Sequence, residues 1–343
     1  MALALILGAG AAQAQEKKFS LYGVGFYNLE NLFDTCHDVG HNDYQYLPDG
    51  QNKWNGLKYT HKLRNMARVL SEMGTDKTPD GCAVIGVSEV ENAKCLQDLC
   101  DQEVLKARGF KFEHIEGPDQ RGVDCALLYN PRLFQVRNVK LVPYVYIKSE
   151  DAGRATRGFL TVSGTMAGEH VTIIVNHLPS RFAGSFYREE GGRQIRLVKD
   201  SLLRDDPNVK IIIMGDMNDD PQDKSMAESL GAKRKMKDVK ADGLWNPWWD
   251  VLASGTGTLQ YDGRWNLFDQ IILSHSLLDI KGTKEYKSLT YWNHQVFRRD
   301  YLFQRDGKYK GNTLRTHAGG AWLDGFSDHL PTVVYLIKEQ AHP

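Results

Sequence analysis

The stretch "VKIIIMGDMNDDP", residues 209–221, decides how this chain is read. Three consecutive isoleucines mark a strand buried on both faces, yet Asp216, Asn218, Asp219 and Asp220 crowd its end. Side chains fixed at the rim of a buried strand are held rigidly and suit a binding pocket. An aspartate at a strand end is, taken alone, more often a turn former or helix cap, and Asp219 and Asp220 are assigned to the turn before Pro221. The case for chemistry at Asp216 and Asn218 has to come from the rest of the chain.

Other apolar runs of strand length are "CAVIGVSEV" (82–90), "VDCALLYN" (123–130), "HVTIIVNHL" (170–178), "FDQIILS" (268–274) and "PTVVYLIK" (331–338). Between them lie helical patterns. "THKLRNMARVLSEM" puts Leu63, Met66, Ala67, Leu70 and Met73 on one face with Thr60 as N-cap. "ENAKCLQDLCDQEVLKA" reads as a helix with Leu96, Leu99 and Val104 inward, and "RQIRLVKDSLLRD" offers Ile195, Val198 and Leu202. Strands alternating with helices predict one α/β domain over residues 17–343.

Polar groups recur at the strand ends: Glu89 in "GVSEVEN", Asn176 and His177 in "VNHLPSR", Asp269 in "FDQIIL", Asp328 and His329 in "FSDHLPTV", and Asn28 and Glu30 in "FYNLENLFD". Their convergence on one pocket is the expectation. "FYNLENLFD", "VSEVEN", "GDMND" and "FSDHLPT", in this order along the chain and within a match that runs over residues 22–337, resemble the motifs of the endonuclease/exonuclease/phosphatase superfamily. "ENLFD" and "NHLPSR" look most like its secreted bacterial nuclease branch. The resemblance implies a four-layer α/β/β/α sandwich of two packed mixed sheets, deoxyribonuclease-like, with the active site at one edge.

It also implies roles. Glu89 is the first metal ligand, joined by Glu30 and Asp328, and Asn28 supports that side of the site. Asp216 orients or deprotonates the attacking water and Asn218 helps hold it; Asp269 and His329 form a coupled pair, and His177 faces the phosphate. Mg²⁺ suits such oxygen ligands, with Mn²⁺ or Ca²⁺ as substitutes. Arg121 and Arg181 carry the planar fork that fits a phosphate, against the default of a solvated arginine. Glu91, two residues beyond Glu89, is given a supporting or helix-start role.

Composition narrows the partners. Lys plus Arg equals Asp plus Glu, 43 each, so no global positive field draws the chain to polyanions. The substrate is expected to be nucleic acid or another phosphate ester, with a monomer as the working form. The opening residues 1–14 read as a signal peptide, an apolar run ending in Ala12-Gln13-Ala14, so the protein is expected to be exported, periplasmic or extracellular. Nothing later reads as transmembrane, and five cysteines without scaffold or zinc spacing read as idle or buried thiols. Segment 231–267 is too long and aromatic for a simple connection. Its Trp245, Trp248 and Trp249 read as packing first and base-stacking second, and "KRKMK" as a solvated surface. The alternatives are a phosphodiesterase or phosphatase for a phospholipid or phosphorylated sugar, and a non-catalytic binding protein on the same scaffold. Against an inositol phosphatase, Asp269 is followed by Gln270 rather than arginine, and Asn218 by Asp219 and Asp220.

Overall fold

The computed structural model describes residues 17–147 and 150–340; the expected signal segment, 1–14, lies outside the described residues. One sheet contains β1 (Phe19–Leu32), β2 (Cys82–Val90), β3 (Lys111–His114), β4 (Asp124–Tyr129), β14 (Thr290–Val296) and β17 (Thr332–Glu339), in the order β14-β17-β1-β2-β4-β3. The other contains β5 (Phe134–Val145), β6 (Ala155–Met166), β7 (Glu169–His177), β8 (Lys210–Asp216), β9 (Ala232–Lys233), β10 (Leu244–Trp245) and β13 (Asp269–Ser274), in the order β5-β6-β7-β8-β13-β10-β9. Two hairpins, β11 (Leu259–Tyr261) with β12 (Arg264–Asn266) and β15 (His317–Ala318) with β16 (Ala321–Trp322), stand outside them. Each of the six runs picked out in the sequence is a strand of one of the two large sheets.

The apolar runs are unbroken because both faces of each sheet are covered. From β8, Ile212 and Met214 enter a core shared with Val24, Phe26 and Val84 of the opposite sheet. Ile211 and Ile213 point the other way, to Ile195 of helix α4 (Ser185–Asp205). On the far side, Ile85 and Val87 pack on Leu63, Met66 and Leu70 of α1 (Gly56–Glu72), and on Leu96 and Leu99 of α2 (Ala93–Cys100). The result is the expected α/β/β/α sandwich. β1 and β2 are parallel across α1, and β7 and β8 are parallel across α4.

Two local readings need correction, and Glu91 keeps its supporting, helix-start role. Asn55, not Thr60, caps α1 by accepting from the Lys58 N–H at 3.1 Å, so the helix starts a turn earlier, and Thr60 Oγ1 donates back to Gly56 O. The segment 91–107 splits into α2 and α3 (Glu103–Lys106); the break at Asp101–Gln102 resets the helical phase, leaving Val104 exposed and burying Leu105. Glu91 does not share a face with Glu89, because the β2/β4 register shifts between Ser88 and Val90. Glu91 instead accepts from the Asp34 N–H at 2.7 Å, next to Asn92, the N-cap of α2.

Segment 231–267 carries β9 to β12 and α5 (Trp249–Ala253). Trp245 and Trp248 are 8% and 0% exposed, their indole N–H groups donating to Arg234 O and Ile271 O, so neither is a stacking surface. The basic run is solvated and sits beside the end of β13 remote from Asp269, since Leu244 pairs Ser274. All five cysteines are free thiols, and among the described residues no helix is long and apolar enough to cross a membrane.

At the edge of the sandwich where β7 begins, Glu169 ties the two sheets. It accepts from Lys338 Nζ of β17 at 2.7 Å and from Lys210 Nζ of β8 at 3.0 Å, with Ser288 and the Leu289 N–H adding two more bonds. Burial opposes its charge, but these donors prevail and hold its carboxyl down at about 2. A depressed carboxylate stabilises the fold above its unfolded pKa and stops doing so as pH falls through the folded one. Glu169→Gln is expected to cost about 1 kcal/mol at neutral pH, discounted for its solvent exposure. In chemical denaturation the gap to the parent chain should close between about pH 4.5 and pH 2.

Candidate active site

The ends of β1, β2, β7 and β8 and the start of β13 meet at one edge of the sandwich, joined by the turn that leads into β17. Antiparallel and parallel registers fix the central trio, with Asp269 opposite Asp216 and His177 beside Asp216. Gly215 is what permits the alignment, since a Cβ there would fall 2.2 Å from Asn176 O. Asn176 is itself structural, its Nδ2 donating to Met214 O.

The other sheet supplies the facing groups through irregular backbone. The β1/β2 register shifts between Asn28 and Leu32, and Glu30, Asn31 and Glu89 take left-handed φ values of 49°, 57° and 60°. Non-glycine residues in that region carry strain that surrounding bonds must offset. Here the offset is visible: Asn31 N–H donates to Glu89 Oε2 at 3.0 Å and Glu30 N–H to Asn28 Oδ1 at 2.8 Å. Bulges of this kind re-aim side chains that regular pleating would point elsewhere.

Asn28 Nδ2 donates across the sandwich to Asp216 Oδ2 at 3.0 Å. Asp216 Oδ1 accepts from the Asn218 N–H at 2.9 Å, while Asn218, with φ 49°, donates its Nδ2 to Leu178 O at 2.9 Å. His329 Nδ1 bonds Asp269 Oδ2 at 2.7 Å, and its Nε2 lies 3.7 Å from Asp216 Oδ2. His177 Nε2 lies 3.6 Å from Asp216 Oδ2 and 3.9 Å from Glu89 Oε1. Ser327 Oγ donates to Asn28 O and accepts from the His329 N–H, locking the final turn onto β1.

The two imidazoles are driven apart in protonation. Burial opposes charge on His329, but Asp269 and Asp216 overcome it and raise it well above the usual histidine range. For His177, burial and then the Arg157 and Arg121 guanidiniums act together and push it well below. Burial lifts Asp216 to about 7, with Asp269 reinforcing and His329 opposing.

Glu89, Asp328, Asp216, Asn218, His177 and His329 line one cleft of about 540 Å³. Glu30 does not; its Oε1 accepts from Arg315 Nε and its Oε2 from the Thr316 N–H, both at 2.8 Å. Arg315 Nη2 reaches Asp328 Oδ2 at 2.9 Å, so one guanidinium spans the two expected ligands. Arg121 lines the cleft with its Nη2 3.9 Å from Glu89 Oε1. Arg181 is turned to Asp220 at 3.1 Å and Asp223 at 2.8 Å, and the turn aspartates are structural, Asp219 pairing Arg188 at 2.8 Å.

Sequence reading missed Arg315, and it missed Arg157, which is buried in the cleft wall, paired to Asp119 at 2.8 Å and donating to His177 O. The only cue to Arg157 was a charge inside the strand-like "ATRGFLTV".

Three groups among the described residues bring metal-type ligand atoms within 4.8 Å: Asp34, Glu91 and Cys95; Asp38, His41 and Glu116; and Asp216, Asp269 and His329. In the last, which is buried, His329 Nδ1 is already bonded to Asp269 Oδ2 at 2.7 Å and two of Asp216's contacts are hydrogen bonds from Asn28 and Asn218. The better fit to a hard cation is Glu89, whose Oε1 faces the open cleft that Asp328 also lines: oxygen donors only, with room for retained waters.

This architecture and edge-on site define a sandwich-type hydrolytic scaffold. The endonuclease/exonuclease/phosphatase family model matches residues 23–338, and the chain belongs to that family. Solved structures of the same fold include an endonuclease/exonuclease/phosphatase family protein of Bacteroides thetaiotaomicron, 16% identical with a TM-score of 0.57, the match covering 94% of this chain and 100% of that one. A mannosyl-6-phosphatase of the same organism is 18% identical with a TM-score of 0.54, over 92% and 99% of the two chains. TDP2 of D. rerio, complexed with a single-strand DNA product, is 15% identical with a TM-score of 0.53, over 92% and 99%. Comparison with curated proteins gives no match. Family membership makes the chain a phosphoric ester hydrolase.

Asp269→Asn removes the charge that most raises His329. The His329 ring, followed by NMR titration, is expected to fall from well above 6.5 towards that value.

Proposed function

We propose that this protein is an exported, Mg²⁺-dependent phosphodiesterase that cleaves nucleic acid. The observation that carries the reading is the Asp216 carboxyl set between His177 and His329, 3.6 and 3.7 Å from their Nε2 atoms, facing Glu89 across an open cleft. When bound, Mg²⁺ held by Glu89 with Asp328 neutralises phosphoryl charge; Mn²⁺ and Ca²⁺ are the substitutes to compare.

The chain's own groups perform the rest. Asp216, with its carboxyl near 7, is matched to take a proton from an attacking water at neutral pH. Asn28 and the Asn218 N–H fix its two oxygens. The Asn218 side-chain nitrogen is committed to Leu178 O, so its Oδ1 is the end free to accept from that water. His329, kept cationic by Asp269, donates to a phosphoryl oxygen from Nε2 as charge grows there. His177, neutral at working pH, contributes a hydrogen bond without adding charge. Arg121 supplies the exposed fork on the remaining side of the phosphate.

A second reading, a phosphorylated sugar as substrate, is supported by the zero net charge, by the absence of a basic stripe in the sequence, and by the likeness to a mannosyl-6-phosphatase. The phospholipid reading loses its anchor with the burial of Trp245 and Trp248. A non-catalytic reading conflicts with the completeness of the polar set.

The deciding experiment is hydrolysis of single- and double-stranded DNA, RNA, a generic diester and a hexose phosphate, with Mg²⁺ and after chelation. DNA or RNA cleavage abolished by chelation is expected. Intact DNA and RNA beside a hydrolysed hexose phosphate would overturn the nuclease reading and leave the hydrolase. Asp216→Asn should lower kcat by about 10²-fold or more. Because the ionised carboxylate is the active form, kcat/KM should rise with pH through an acidic limb near pH 7.

A further inference from the structure

The cleft does not end at Arg121. Two further hollows, of about 500 and 430 Å³, share Arg121 with it and are both lined by Asn42 and Tyr44. They lie under the connection between β1 and α1. The Asn42 N–H donates to Gln120 O at 2.8 Å, and the Asn52 N–H to Gln45 O at 3.0 Å, so this connection is fastened to the cleft wall and to itself.

Tyr44 is 58% exposed, but it is not loose. Its ring stacks on His37 with centroids 4.6 Å apart and planes at 25°. His37 Nδ1 is bonded to Asp43 Oδ1 at 2.5 Å, and Asp43, 1% exposed, also accepts from the Asp38 N–H at 2.7 Å. A buried carboxylate thus fixes an imidazole whose face supports an open phenol ring. The ring is held in place while more than half of its surface stays open to solvent. Around it the larger hollow presents uncharged amides, Asn42, Gln45 and Gln51, with Arg121 as its single charge; the smaller adds Gln120 and His41, whose Nδ1 lies 3.9 Å from Asp38 Oδ2.

We propose that Tyr44 is the stacking platform for the nucleobase adjoining the scissile phosphate. The inference rests on the nuclease reading and deepens it. With the phosphate at Arg121 and Glu89, the neighbouring ring of a strand falls into the hollows, where it meets an aromatic face and amide groups able to donate and accept along a base edge. The larger hollow, neutral apart from Arg121, matches a base, which carries no charge, and not a second phosphate. The site selects unstacked bases, hence single strands, because a paired base cannot lie flat on a protein ring.

The test uses the full chain carrying Asp216→Asn, with Mg²⁺, and fluorescence anisotropy of two labelled DNA single strands. One is a thymidine strand, the other the same backbone with abasic residues. The base-bearing strand should bind about tenfold tighter. That ratio should drop towards one in Tyr44→Ala and recover in Tyr44→Trp, which shows that the alanine effect is not lost folding. A ratio unaltered by Tyr44→Ala, or no preference and no binding from the outset, overturns the platform. Hydrolysis by the chain with Asp216 intact separates the failures. Both strands cut with no base preference leaves the nuclease reading standing without the platform. Neither strand cut while a hexose phosphate is hydrolysed removes both.

Discussion

The bond from Asn28 to Asp216 joins the two halves of the molecule at the one place where they must agree. Asn28 ends a strand of one sheet and Asp216 a strand of the other, 188 residues later. The His329–Asp269 bond makes the same crossing, since His329 leads into β17 and Asp269 starts β13. The site is therefore a property of the sheet interface, and the apolar layer of Phe26, Val84, Ile212 and Met214 beneath it sets the spacing of the polar groups above. Close-packed layers of this kind deform little, which is how side chains from remote segments keep hydrogen-bond geometry.

The electrostatics follow from that geometry. Buried acids and imidazoles cannot all carry charge, and the protein divides the states among them. His329 takes the proton because two aspartates face it; His177, beside Arg157 and Arg121, does not. Asp216 sits between them near the midpoint of its titration. Backbone strain is also present in the same few residues. Glu30, Asn31, Glu89 and Asn218 all adopt left-handed φ, each with a side-chain or backbone bond into the site.

Much of this was legible in the letters. Runs apolar at every position marked sheets covered twice, and most of the polar residues at their ends meet, Glu30 and Asn176 being turned to other partners. Strands β5, β6 and β14 were not seen, because their charged, threonine- and glycine-rich segments lack a continuous apolar run. The parity of Glu89 and Glu91 was unreadable, because a register shift leaves no signature in residue type. The partner of Glu30 was equally hidden: Arg315 is 285 residues away, in a stretch with no periodic pattern, and only the folded chain brings that guanidinium between Glu30 and Asp328. Packing, the first reading of the tryptophans, is what the burial of Trp245 and Trp248 shows, for a plain reason. A large apolar ring in a long connection is more useful as core, whereas Tyr44, which remains open, sits in a sequence of turn residues that draws no notice.

Strand β1 lies in the middle of its sheet, and one of its two neighbours is β17, with Phe19 opposite Glu339. The earliest strand to leave the ribosome therefore waits for the last before its hydrogen bonds are complete, a pairing of the most delayed kind. His329 arrives with that final strand. Until β17 is made, a nascent chain lacks both its pairing to β1 and the imidazole that Asp269 holds, so the site assembles only once both sheets are closed.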